Sequence, residues 1–255
     1  MRSVMSIAHL TFSEALRNKI MYAVLAFLIL MLLAASVLAS VTMGRTELMI
    51  LDLGLGGISI LANLMAIVIT IQSLQQEKES RTLYVLLTRL SSRWQYIVGK
   101  FLGLAMVLGG LVLLMCALLT VLVYLFGSVY PLSLLEACLS TLLETWLVIA
   151  VAMLFAQTSS LFLAILLTLC VDIAGRFTTV IYQFGQQSDA SSLRILTEIM
   201  YYALPNLEAV NLRNSAGYIS SYASDLLVHV FTYGFIEIAF LLILAAYIFE
   251  KRNLS

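Results

Sequence analysis

The chain has 255 residues, of which 62% are hydrophobic and only 11% are charged. Soluble globular domains carry about 45–50% apolar and about 25% charged residues, so this composition excludes a soluble enzyme and a disordered chain. The 14 basic and 14 acidic residues cancel, which leaves no electrostatic footprint for a nucleic acid. The class that remains is an integral membrane protein in a lipid bilayer, and we expect an all-α bundle of spanning helices.

Residues 4–18 predict an amphipathic helix ahead of the first long apolar run. The apolar side chains recur at helical spacing on one face: Val4, Ile7, Ala8, Phe12, Ala15 and Leu16. We expect residues 1–19 to lie along the membrane interface before the chain turns into the bilayer. A short cytoplasmic lead-in without this helix is the alternative.

Six apolar runs are long enough to cross a membrane, because about 20 helical residues span ~30 Å of hydrocarbon. The runs are continuous rather than alternating, which favours helices over strands. The predicted spans are residues 20–41, 53–74, 98–126, 132–156, 160–182 and 226–249. Residues 20–255 are therefore expected to form a single transmembrane domain.

The basic residues between the spans predict the orientation. An even number of spans places both termini on one side, and Lys and Arg concentrate on the cytoplasmic side. Ten basic residues fall on the side of the termini: Arg2, Arg17, Lys19, Lys78, Arg81, Arg89, Arg93, Lys100, Lys251 and Arg252. Four fall on the other side or in a span: Arg45, Arg176, Arg194 and Arg213. We therefore expect both termini in the cytoplasm.

The longest charged segment between two spans is residues 75–99. Glu77 precedes Arg81 by four residues, which is the favourable order on a helix. Three further basic residues can share one side of a continuous helix: Arg89, Arg93 and Lys100. The segment predicts an amphipathic cytoplasmic helix that runs into the third span. Its basic residues suit either docking of a cytoplasmic protein or contact with lipid headgroups and control of topology.

Several ionisable side chains fall inside predicted spans, where each costs at least about 2.5–3.5 kcal/mol on insertion scales. The main candidates for a functional role are Glu144, Asp172, Arg176 and Glu237. Asp172 and Arg176 are four residues apart and are expected to neutralise each other. Two interpretations stay open: a hydrated cavity in the outer half of the bundle, or structural pairs together with protonated glutamates.

Residues 183–225 are too long for a connection without structure of its own. Residues 193–200 have helical spacing, and Pro205 with Asn206 marks a turn. We expect short extracytoplasmic helices that cap the outer mouth of the bundle, with a plain surface loop as the alternative.

The sequence contains no recognisable nucleotide-binding or catalytic motif. Gly99-Lys100 lacks the rest of a phosphate-binding loop, and no metalloprotease or nucleophile-elbow motif is present. The three cysteines lie singly in apolar runs, which predicts packing roles and no metal site. We expect no cofactor in this chain and no enzymatic activity, so energy for any work would come from a partner or an ion gradient.

Three stretches, in order along the chain, resemble the permease subunits of the ABC-2 class of ABC transporters. They are the amphipathic start leading into E-A-L-R-N-K at 14–19, E-K-E-S-R-T-L through Y-I-V-G-K at 77–100, and L-P-N-L-E with N-L at 204–212 before a final span that ends in I-F-E-K-R-N-L at 248–254. Within that class the chain resembles the branch that includes the membrane subunit of nitrous-oxide reductase maturation.

The resemblance implies an exporter half in the bacterial cytoplasmic (inner) membrane that pairs with a second permease subunit, preferentially as a homodimer. Two copies of a cytoplasmic ABC ATPase would bind the ATP and Mg²⁺, and a periplasmic or extracellular cargo protein is a further partner. Residues 4–18 would be the elbow helix and residues 183–225 would include the outer helices. Residues 75–96 would be the coupling helix, with these docking residues: Glu77, Glu79, Arg81, Arg89 and Arg93.

The rival interpretation is a secondary transporter or channel driven by an ion gradient. It would give working roles to Glu144, Asp172 and Glu237 and would need no ATPase. An intramembrane enzyme and a scaffold subunit without a transport path are weaker rivals.

Overall fold

A computed structural model describes residues 46–79, 93–125, 131–188, 191–216 and 222–251. It also describes seven single positions near the N-terminus: Ile7, Ala8, Leu10, Thr11, Ile29, Leu30 and Leu33. These seven positions are helical, and Ile7 and Ala8 are buried. The rest of the predicted elbow helix and of the predicted span 20–41 lies outside the described residues.

Seven α-helices and two 3₁₀ turns make up the regular elements described between residues 46 and 251. They are α1 Thr46–Glu79, α2 Arg93–Leu125, α3 Pro131–Thr158, α4 Leu161–Arg176, α5 Thr178–Gln186, α6 Ser191–Ala203, the 3₁₀ turns Glu208–Val210 and Arg213–Ser215, and α7 Ser224–Lys251.

Four of these helices, α1, α2, α3 and α7, are long and apolar enough to cross a membrane. They coincide with the predicted spans 53–74, 98–126, 132–156 and 226–249. The predicted span 160–182 is not one straight helix, because α4 and α5 meet at a bend of 58°. At the bend, Phe177 leaves the helical conformation and the Thr178 hydroxyl donates to the Gly175 carbonyl oxygen at 2.9 Å. The described residues thus give four spans, or five if the bent pair is one span.

The central helix of the bundle is α3, which contacts α1, α2, α4, α7 and both 3₁₀ turns. In α3, 78% of the most apolar stretch is buried within the protein, against 22% in α7. Glu144, the acidic residue in the middle of α3, is 1% exposed and is therefore surrounded by protein rather than by lipid. A buried polar group at membrane depth needs partners from the protein itself.

The helices α1 to α4 alternate in direction, and α7 ends beside the start of α2, so the bundle has two ends. The Glu77 end is formed by the end of α1, the start of α2 and the ends of α3 and α7. There, the Gln75 side chain donates to the carbonyl oxygens of Ala156 at 3.1 Å and Ser159 at 2.8 Å, and the rings of Tyr96 and Phe249 stack at 5.5 Å. The opposite end, which we call the Arg213 end, carries α5, α6 and the 3₁₀ turns.

Residues 204–216 correct the expectation that the outer segment only caps the bundle. This stretch, the re-entrant segment, enters the bundle and buries four apolar side chains: Leu207, Val210, Leu212 and Ala216. Its backbone is bonded to side chains of α3 and α7, since Leu212 N–H donates to Ser140 Oγ at 3.4 Å and Asn206 N–H donates to the Tyr233 hydroxyl at 2.9 Å. Both acceptors lie about 14 Å from the starts of their helices, at about 1.5 Å per residue.

Candidate functional site

Glu144 is the centre of a buried ionic cluster in the middle of α3. Its side chain is only 1% exposed, and its two carboxylate oxygens lie 2.7 Å from Nη2 of Arg176 and 3.2 Å from Nη2 of Arg213. The Ser59 hydroxyl donates to the same carboxylate at 3.2 Å, and the Asn63 amide nitrogen donates to it at 3.1 Å. One carboxylate therefore joins α1, α4 and the re-entrant segment to the central helix.

Asp172 supplies the second negative charge of the Glu144 cluster. Its carboxylate lies 3.4 Å from Nε of Arg176, one turn further along α4. The Asn63 amide nitrogen also donates to Asp172 at 3.1 Å, while the Asn63 carbonyl oxygen accepts from Thr145 at 3.3 Å. Asn63 thereby bridges the two acids.

The Glu144 cluster contains two carboxylates and two guanidinium groups, so its formal charge is zero. Buried ions are tolerated when they are paired and their remaining hydrogen-bonding groups are satisfied. This neutral arrangement fixes the relative positions of several elements, and it differs from a site in which a lone acid exchanges protons with solvent.

Arg213 is the member of this cluster that sequence reasoning missed, because it was assigned to the outer segment. A local turn positions it: Asn211 Oδ1 accepts from the Arg213 backbone N–H at 2.9 Å and from its Nε at 3.0 Å. Glu208 in turn accepts from Asn211 at 3.0 Å and from Asn214 at 3.2 Å. Charge balance was the available signal, since Asp172 and Arg176 satisfy each other and Glu144 still needs a cation.

The other predicted polar residues have different surroundings. Glu237 is a half-buried residue of α7, and its carboxylate has no hydrogen bond or ion pair with any residue in the described ranges. Pro205 and Asn206 are buried at the start of the re-entrant segment, where Asn206 Oδ1 accepts from the Ala209 N–H at 3.1 Å. The outer turn predicted from these two residues is thus inside the bundle.

A cleft of about 480 Å³ opens beside the Glu144 cluster at the Arg213 end. Its lining combines charged, polar and apolar groups: Asp52, Gly56, Ile60, Arg176, Arg213 and Asn214. The cleft reaches both arginines of the cluster, so part of the cluster is open to a molecule outside the chain.

A second buried ion pair lies at the Glu77 end. The Glu77 carboxylate is ion-paired with Lys100 and accepts from the Tyr96 hydroxyl, and the Lys100 side chain is fully buried. Lys78 donates to the Ala156 carbonyl oxygen of α3. The end of α1 and the start of α2 are therefore joined to each other and to α3.

The contacts of Glu77 and Lys100 correct part of the prediction that residues 75–96 form a separate coupling helix. Lys100 does not belong to an exposed basic side, and residues 75–79 are the last turn of α1 rather than part of a separate helix. Residues 80–92, which include Arg81 and Arg89, lie outside the described residues. The side chains of Glu79 and Arg93 are likewise outside the description, so docking by these residues stays a prediction.

The fold and the site define an all-helical, multi-pass membrane protein with a re-entrant segment and a neutral ionic cluster inside the bundle. Residues 5–254 match the family model described as ABC-2 family transporter protein, and the chain belongs to that family. It is accordingly a permease subunit of an ABC transporter. Membership implies a partner ATPase, since subunits of this family are generally non-catalytic. No curated protein matches the chain.

Proposed function

We propose that this chain is the transmembrane half of an ATP-driven exporter in the bacterial inner membrane. Two identical copies would pair, and each would dock on one copy of a cytoplasmic ATPase. Family membership supports the permease role. The resemblance of residues 77–100 and 204–212 to the nitrous-oxide reductase maturation branch supports export and a partner cargo protein outside the membrane.

The observation that carries the proposal is the buried Glu77–Lys100–Tyr96 contact. It fastens the end of α1 to the start of α2, which are the two helices that flank residues 80–92. A force applied to that segment by a docked ATPase would reach α1 and α2 as one unit, and Lys78 and Gln75 extend the connection to α3. This arrangement suits a coupling segment.

The orientation in this proposal places the Glu77 end in the cytoplasm. It rests on the ten-to-four distribution of basic residues, because Lys and Arg accumulate in cytoplasmic loops. ATP binding can change the arrangement of the helices only if the ATPase dimer holds one arrangement more tightly than the other.

The gradient-driven rival would need Glu144, Asp172 and Glu237 to act on one ion path. Two of these acids are paired with arginines, and Glu237 lies outside the Glu144 cluster. The described geometry therefore gives the rival no specific support.

The coupling role is tested by reversing two charges, Arg89→Glu together with Arg93→Glu. We expect the amount of ATPase that co-purifies with the double variant to be at least tenfold lower than with the wild-type permease, because like charges would replace the docking contacts. Arg194→Glu is the matched control, since Arg194 is an exposed arginine at the other end of the bundle. Equal recovery of the ATPase in all three proteins would contradict the docking role.

A further inference from the structure

The two arginines that line the Arg213-end cleft use only part of their hydrogen-bonding capacity. Arg176 bonds through Nε and Nη2, to Asp172, Ser59 and Glu144. Arg213 also bonds through Nε and Nη2, to Asn211 and Glu144. Among the residues that the structure describes, no acceptor lies on Nη1 of either arginine. Each guanidinium therefore keeps one NH₂ group for a further acceptor.

The two guanidinium groups are held in place before any ligand arrives. Both lie on one carboxylate, that of Glu144, and their side chains are only 23% and 10% exposed. Hydrogen bonds from buried charged donors are stronger than those at the surface. Asp52 is also in the lining, and Glu144 and Asp172 balance the charges of the two arginines. What favours an acceptor group here is therefore the pair of unused NH₂ groups rather than a net positive charge.

The α1 side of the cleft carries Asp52 nearest the start of the helix and is apolar at Gly56 and Ile60. Gly56 and Ile60 are one helical turn apart, and Ile60 is exposed. A membrane-spanning helix has about 20 residues in the hydrocarbon. The polar residues at Gln75 mark one boundary, and the position about 20 residues earlier is Leu55. The cleft therefore lies near the level at which the hydrocarbon gives way to headgroups at the Arg213 end, and its lining includes both charged side chains and the apolar surface of Gly56 and Ile60.

We propose that this cleft binds an amphiphile through a phosphate or carboxylate headgroup. Arg176 and Arg213 would bind the anionic group, and Ile60 would contact the apolar part of the ligand. The forked donors of two arginines suit the paired oxygens of these anions. The site goes beyond the proposed function, because binding can be measured on the permease without its ATPase and without transport.

The test compares two glycine substitutions in the purified full-length chain. A Cβ at Gly56 or at Gly110 would meet no atom within 4 Å, but only Gly56 lines the cleft. Gly56→Leu should fill the cleft, and Gly110→Leu on α2 is the matched control. Leucine is the better helix former at both positions, so neither helix should be weakened. Binding of fluorescent phosphatidylglycerol is measured against phosphatidylcholine.

We expect the wild type and Gly110→Leu to bind phosphatidylglycerol at least tenfold more tightly than phosphatidylcholine, and Gly56→Leu to lose this preference. Equal binding of the two lipids by the wild type, or an unchanged preference in Gly56→Leu, would overturn the proposal. Glycerol phosphate tests the source of the anion: if it displaces the lipid at equal concentration, the site takes a free anion and the amphiphile is wrong. If Gly56→Leu fails to fold, Ile60→Trp replaces it, because it fills the cleft from an exposed position. Ile60→Trp should also lose the preference for phosphatidylglycerol, and an unchanged preference would overturn the proposal.

Discussion

At the scale of single residues, the most informative side chain is Glu144, a carboxylate in the middle of a spanning helix. Its position in the sequence predicts importance, because an acid at that depth is costly unless it has partners. The structure supplies Arg176 and Arg213 as partners at 2.7 and 3.2 Å. Glu237 has a similar position in its predicted span and none of these contacts. Two acids with similar sequence surroundings therefore differ in whether they are paired.

Glu144→Gln should destabilise the protein much more than Glu237→Gln. Removing the charge of Glu144 takes away the one carboxylate that is ion-paired with the buried Arg213 in the described part of the chain, and breaking a buried pair costs about 3–5 kcal/mol. The Glu237 change should stay within about 0.5 kcal/mol, as for substitutions away from such networks. Thermal unfolding of both variants in the same detergent checks this, and equal unfolding midpoints would show that the Glu144 cluster contributes little to stability.

At the scale of elements, the re-entrant segment depends on close contact with the last turn of α4. Leu207 N–H donates to the Gly175 carbonyl oxygen at 3.2 Å, and a Cβ at Gly175 would lie 2.7 Å from the Pro205 carbonyl oxygen. Only glycine permits this approach without a shift of backbone. The contact helps to bring Arg213 to Glu144, so the bend between α4 and α5 and the ionic cluster belong to one arrangement.

Gly175→Ala should loosen the re-entrant segment. Because the added methyl group meets a backbone oxygen rather than a flexible side chain, we expect hydrogen exchange in residues 204–216 to become at least tenfold faster. Gly110→Ala is the control, where open space and higher helix propensity should give equal or greater stability, by up to about 1 kcal/mol. Exchange rates in residues 204–216 that match the wild type would mean that the approach at Gly175 is not needed.

At the scale of the whole molecule, an ion pair at the Glu77 end and an ionic cluster toward the Arg213 end both connect to the central helix. The Glu77–Lys100 pair lies beside the segment proposed for coupling, and the Glu144 cluster lies beside the cleft. Both connect through α3, which contacts all of the other long helices. A displacement of α3 would therefore reach the contacts at both ends.

The orientation of the bundle is testable with single cysteines in a protein whose three native cysteines are replaced by serine. Arg194→Cys and Lys251→Cys both place a thiol at an exposed position, at opposite ends of the bundle. We expect a membrane-impermeant maleimide to label Arg194→Cys in intact cells, and to label Lys251→Cys only after permeabilisation. Labelling in the reverse pattern would place the Glu77 end outside and remove the basis for docking an ATPase there.

The sequence predicts the positions of the long helices better than it predicts the contacts of the site. The apolar runs at 53–74, 98–126, 132–156 and 226–249 locate four long helices, because burial of backbone groups in lipid requires continuous apolar segments. The pairing of Asp172 with Arg176 follows from their spacing of four residues. The partners of Glu144 come from positions 59, 63, 176 and 213, and no spacing rule connects these positions with 144.

By itself, the sequence determined that this is a multi-pass helical membrane protein, and where most of its long helices lie, because hydropathy and helical period are local properties. Tertiary structure alone decided that residues 204–216 turn back into the bundle and that Arg213 reaches Glu144. It also decided that Lys100 is buried against Glu77 rather than exposed. Each of these depends on which distant groups can neutralise a charge or accept a hydrogen bond away from water, and that choice is made only when the helices pack together.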